Sequence, residues 1–202
     1  MWTRPRPETC LRYMVGRALA GAEPQPWWLP RRVLTVVSID VDETASVAAI
    51  WLLRRPKSPS VREYIALLER HDEEWRYLGS GSGSGGDPAA VDVLDMLHVR
   101  DGGGSVGLTR RHDLPDSPTP DRWIGYVIVR LGPDVGHLLI GARRIAAPEQ
   151  RRLAAVWTSP YSGRRGVRPV IVAVAPDGTE LSRIGPHQGL DTHTWAQLQE
   201  EL

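Results

Sequence analysis

Three glycines at G-x-G-x-x-G spacing, Gly81, Gly83 and Gly86, stand in the run EEWRYLGSGSGSGGDP, with Asp87-Pro88 placed as if to open a helix. Glycines so spaced let a backbone approach a pyrophosphate at a helix N-terminus, provided a buried parallel strand leads into them. Here the preceding EEWRYLGS is amphipathic, whereas buried parallel strands run almost continuously in Val, Ile and Leu. Pro88 starts any helix only after the third glycine. No Gly-Lys-Ser/Thr occurs, which excludes a P-loop. Residues 80–88 therefore read as a Gly/Ser hinge or loop.

Gly103-Gly104-Ser105-Val106-Gly107 matches the G-x-S-x-G of a nucleophile elbow. An elbow needs strand, turn and helix in a parallel sheet, then an acid and a histidine downstream. Asp134, Asp177 or Asp191, followed by His187 or His193, supply that order. LTRRHDLP after Ser105 is a poor helix, and the strands around it are patterned for antiparallel pairing. No catalytic residue is assigned. The six histidines lack H-x-x-x-H and H-E-x-x-H spacing. His187 and His193 around Asp191, and the acids Asp40, Asp42 and Glu43, read as solvated turn residues. No metal and no cofactor is expected.

The signal that points to a partner is basic and aromatic. Residues 141–170 hold Arg143, Arg144, Arg151, Arg152, Arg164, Arg165 and Arg168 against Glu149 alone, with Trp157 and Tyr161 between them. Guanidinium groups interleaved with aromatics suit carboxylate, phosphate or an acidic protein surface. The expected binding residues are Arg143, Arg144, Trp157, Tyr161, Arg164, Arg165 and Arg168, and the expected partner is an acidic protein. A net charge of +1 argues against nucleic acid. The chain then reads as a non-catalytic interaction protein. The alternative is a small-ligand binder or small enzyme, with Trp27, Trp28, Trp51, Tyr64 and Asp40 lining a pocket in the N-terminal lobe.

The elements that must position these residues follow from periodicity. In ETCLRYMVGRALA (8–20), Leu11, Met14, Val15, Ala18 and Leu19 share one helical face. EPQPWWLP breaks that helix. Residues 31–41 and 45–55 read as a hairpin, and 60–70 with 75–80 as a second. A helix over one side of this four-strand antiparallel meander accounts for residues 1–79. The outline is similar to cystatin-like or nuclear-transport-factor-like folds. Segment 87–104 fits helix and strand equally. Strands are expected over 123–131, 136–145 and 153–158, then a hairpin over 168–184 turning at Pro176-Asp177-Gly178. A short helix from about residue 191 closes a β-sandwich-like unit spanning 89–202. The fold class is thus α+β. The stretch VIVAVAPDGTELSRIG resembles a β unit that recurs in small uncharacterised proteins of GC-rich bacteria. That resemblance spans 123–186 and implies a fold, with no catalytic residues.

Composition sets the outer bounds. With 202 residues, 41% hydrophobic and 24% charged, the chain is globular rather than disordered. Lys57 is its only lysine, and Ala, Gly and Pro abound, as in a GC-rich coding sequence. Part of the arginine content therefore carries no chemical meaning. Phe is absent and Trp occurs eight times, so indoles supply most large aromatic packing, several at core edges where each N–H finds a partner. The single cysteine, Cys10, excludes an internal disulfide framework and suits a reducing compartment. Arg12 and Arg17 interrupt the apolar stretch before Ala18-Leu19-Ala20, which argues against a signal peptide. The expected location is the cytoplasm, without membrane contact.

Overall fold

A computed structural model describes residues 7–84, 97–108, 122–162, 165–166 and 169–184. The chain divides into two units, Met1–Pro88 and Ala89–Leu202. Its class is α+β: the described residues form one helix and three antiparallel four-stranded sheets. No described helix is long and apolar enough to cross a membrane.

The first unit opens with α1 (Pro7–Leu19), which carries Glu8 in its first turn and Arg17 in its last, complementing the helix dipole. Gly21 ends it at φ +64°. The Ala22 N–H then reaches the Arg17 carbonyl at 2.9 Å and the Gly21 N–H the Ala18 carbonyl at 3.0 Å, a Schellman stop. Strands β1 (Leu34–Asp42), β2 (Val47–Arg54), β3 (Arg62–His71) and β4 (Glu74–Ser84) pair in sequence order. The β3–β4 turn places Asp72 and Glu73 at φ 47° and 64°, the left-handed pair that a two-residue type I′ connection demands.

Leu11, Met14 and Val15 of α1 pack on Val36, Ala48, Ile50, Leu52, Ala66, Leu68 and Trp75. The edge of β1 is covered by one side chain of the preceding loop. Gln25 Nε2 donates to the Leu29 and Leu34 carbonyls at 2.7 and 3.1 Å, and its Oε1 accepts the Val36 N–H at 3.0 Å.

Two expectations change here. The hinge expected at 80–88 is strand as far as Ser84, paired with β3 as Ile65↔Gly81 and Glu63↔Gly83; residues 85–88 lie outside the described residues. Regular alternation through the serines and glycines satisfies the ladder, so glycine content alone does not interrupt it. The sheet is also buried on both faces. Val47, Ala49, Trp51, Leu53, Ile65 and Leu67 alternate away from the helix and are buried, together with Ser38, Asp40, Glu63 and Glu69. Trp51 lies within this layer, not at a core edge, and its Nε1 has no hydrogen-bond partner among the described residues.

The described residues of the second unit form two sheets. One is ordered β10-β9-β6-β5, from β5 (Leu97–Val106), β6 (Arg122–Leu131), β9 (Arg152–Ser162) and β10 (Arg165–Gly166). The other is ordered β12-β11-β7-β8, from β7 (His137–Ile140), β8 (Arg143–Ala146), β11 (Ile171–Val174) and β12 (Glu180–Ile184). Both contribute to one hydrophobic cluster: Val127, Val129, Leu153, Ala155 and Trp157 from the first, and Leu138, Ile140, Ile171, Ala173 and Ile184 from the second. The segment expected as one strand, 136–145, is a tight hairpin, because Gly141 at φ +59° reverses the chain. Gly178 at φ +94° turns β11 into β12 after Pro176-Asp177, as the sequence leads one to expect. Of the segment open to helix or strand, 97–104 is strand. Residues 89–96 and the helix expected from 191 lie outside the described residues.

Candidate functional site

The structure distributes the expected basic-aromatic surface of the second unit unevenly. Arg143 and Arg144 are neighbours on β8, so their side chains leave opposite faces of the strand. Arg143 is half-buried and its guanidinium donates to the Val156 carbonyl, tying β8 to β9. Arg144 is exposed. Trp157 is only 6% exposed and belongs to the core, its ring lying over Gly125 of the neighbouring strand. Tyr161 is half-buried and stacks on Trp123 with ring centroids 6.5 Å apart. Arg165 pairs through its backbone with Ser162, and Arg164 and Arg168 lie outside the described residues. Trp157, expected on the surface, is packing; among the described side chains of the set, those left at the surface are Arg144 and the rim of Tyr161.

The residues proposed for an N-terminal pocket do not converge. Asp40 and Trp51 point to one face of the first sheet, while Tyr64 packs with the helix-side core. Trp27 stands 79% exposed, braced edge-on against Trp28, which in turn lies 4.5 Å from Tyr13. The motifs resolve likewise. Ser105 sits within β5 opposite Ile124, in a ladder rather than an elbow. Among the described residues no three His, Cys, Asp or Glu side chains form a metal-binding group. Cys10 is half-buried, and burial raises its thiol above the ordinary value, although a hydrogen bond with Trp28 opposes this. Loops around Pro133, Ala147 and Pro176 border an open cleft of about 450 Å³. Its guanidinium, Arg151, is committed to the Val135 and Gly132 carbonyls at 2.5 and 3.4 Å.

His137 is a buried polar group that the sequence does not single out. It is 6% exposed and its Nδ1 has no hydrogen-bond partner among the described residues. Burial holds its imidazole below the ordinary value, and the Arg144 guanidinium adds to this. Between the depressed folded value and the unfolded value near ~6.5, the unfolded chain binds more protons, so stability rises with pH across that window. Denaturant melts should therefore show the second unit weakening as pH falls below about 6.5. His137→Gln should flatten that slope, and an unchanged slope would exclude His137 as its source.

The strongest charge feature is one that the sequence analysis missed. Antiparallel order brings the start of β1, the end of β2 and the start of β3 to one end of the first sheet, through Leu34↔Arg54 and Arg54↔Arg62. The Arg55 N–H extends the contact to the Val33 carbonyl at 2.9 Å. Six cations meet there: Arg31, Arg32, Arg54, Arg55, Lys57 and Arg62, all exposed. Arg31 pairs with Glu23 at 3.3 Å. The side chains of Arg32, Arg54, Arg55, Lys57 and Arg62 have no hydrogen-bond or ion-pair partner among the described residues. In sequence they are spread over thirty-two positions in three short groups. Only the strand register makes them one patch. No family model matches the chain, and neither a curated protein nor a solved structure gives a significant match.

Proposed function

We propose that this is a non-catalytic binding protein, acting in the cytoplasm, that holds an acidic protein partner on the basic end of its first meander. The single observation that carries the reading is the set of five exposed, unpaired cations at that end. Like charges at neighbouring strand ends repel, so cations without a side-chain partner among the described residues favour any ligand that supplies carboxylates. Five of the six are arginines, which suits bidentate carboxylate contacts. The exposed Trp27 adds an aromatic of the type that anchors interfaces. In the second unit, Arg144 and the rim of Tyr161 offer a further contact. The hydrophobic cluster common to both of its sheets supports a sandwich-like unit as the scaffold of that contact.

The test is fluorescence anisotropy with a labelled oligo-glutamate peptide. Neutralising the end with Arg54→Gln, Arg55→Gln and Arg62→Gln should weaken binding on the order of tenfold at low salt, since exposed pairs contribute ~0.2–1 kcal/mol each. The wild-type affinity should fall as salt rises. Equal affinity for the variant, or a loss seen only with Arg144→Gln and Arg165→Gln, would reject the basic end as the contact.

A further inference from the structure

We infer that the partner seated on this basic end is the acidic end of a second copy of the same chain, so that the protein assembles head to tail. The inference rests on the basic end being a binding surface and adds the identity of its occupant.

The meander that gathers cations at one end gathers carboxylates at the other. The β1–β2 turn carries Asp42 and Glu43, and the β3–β4 turn Asp72, Glu73 and Glu74. Some of this charge is answered locally: Glu74 pairs with Arg12 at 3.4 Å and Asp72 with His71 at 3.2 Å. Arg70, at the end of β3, lies over the Trp75 ring. Glu43 and Glu73 are exposed and have no side-chain partner among the described residues.

The two ends cannot neutralise each other within one chain. Strands of eight to eleven residues separate them by roughly 25–35 Å at ~3.3 Å per residue. The screening length at 0.1 M salt is only ~10 Å. A net charge of +1 over the whole chain is therefore compatible with two remote patches of opposite sign. Each patch finds its complement on another molecule. Because the patches occupy opposite ends of one sheet, the contact is heterologous, and it propagates rather than closing as a two-fold dimer.

Sedimentation velocity of the full chain tests this, in about 20 mM and about 500 mM NaCl, which bracket strong and weak screening. Species larger than a monomer should grow with protein concentration at low salt and collapse to monomer at high salt. A basic-end variant (Arg54→Gln, Arg55→Gln, Arg62→Gln) and an acidic-end variant (Glu43→Gln, Asp72→Asn, Glu73→Gln) should each be monomeric alone. Mixed in equal amounts, they should form a dimer and stop there, because only one complementary pair of ends remains. Every substituted side chain is exposed, and unchanged thermal melts confirm folding. A wild type that stays monomeric at low salt overturns the inference. So does a mixture without dimer, or an oligomer indifferent to salt. If the wild type is monomeric yet still binds oligo-glutamate through Arg54, Arg55 and Arg62, the occupant is a different acidic protein and the binding surface stands. If it instead binds single-stranded DNA or anionic vesicles there, the occupant is a phosphate-bearing one. If nothing binds, both readings fall.

Discussion

Trp157→Ala should destabilise the second unit by about 3–5 kcal/mol, the range for removing a large aromatic from a packed core. The indole is 6% exposed and packs among Val127, Leu153, Leu138, Ile171 and their neighbours from both sheets. Removing it opens a cavity that two rigid sheets cannot close. Were Trp157 instead a surface anchor, the same substitution would cost well under about 1 kcal/mol of stability and would act on binding. Guanidinium melts followed by tryptophan fluorescence distinguish these outcomes. A shift in the midpoint with little change in oligo-glutamate affinity is expected.

Gly125→Ala should be nearly as damaging, for the opposite reason. A methyl group built on Gly125 would lie 2.2 Å from Cζ2 and 2.3 Å from Cε2 of Trp157, far inside contact distance. Both residues sit on paired central strands, as Gly125↔Trp157, so neither the backbone nor the ring can retreat cheaply. Overpacking of this severity costs about 3 kcal/mol. The two residues should couple strongly. In a Trp157→Leu background, where the ring is gone, Gly125→Ala should cost much less, and full additivity in that cycle would show that the ring is not what excludes a side chain.

The strands were largely legible because alternation and turn residues are local signals. VAAIWLLR and WIGYVIVRL announce themselves by β-branched and aromatic content, and Pro176-Asp177-Gly178 by its turn chemistry. Where the reading failed, composition outweighed pattern. Residues 80–88 suggest a linker by their glycines, yet alternation as far as Ser84 extends β4 alongside β3. The β7–β8 hairpin hid behind apolar residues on both sides of Gly141.

The binding surface was legible only in part, since charge was sought as a run along the chain. Residues 143–168 are dense in arginine in sequence, but Arg143 faces inward to Val156 and Trp157 is core. The pairs Arg31-Arg32 and Arg54-Arg55, with Lys57 and Arg62, are unremarkable individually. They become one patch once hairpin register is applied, and the register was within reach: residues flanking alternate turns of a meander always share an end.

An NMR titration of the isotopically labelled chain with the oligo-glutamate peptide most directly tests whether the basic end is where carboxylates bind. Amide shifts should concentrate at 31–33, 54–58 and 61–62 and fade as salt is added. Shifts confined to 143–166, or spread evenly over both units, would contradict it.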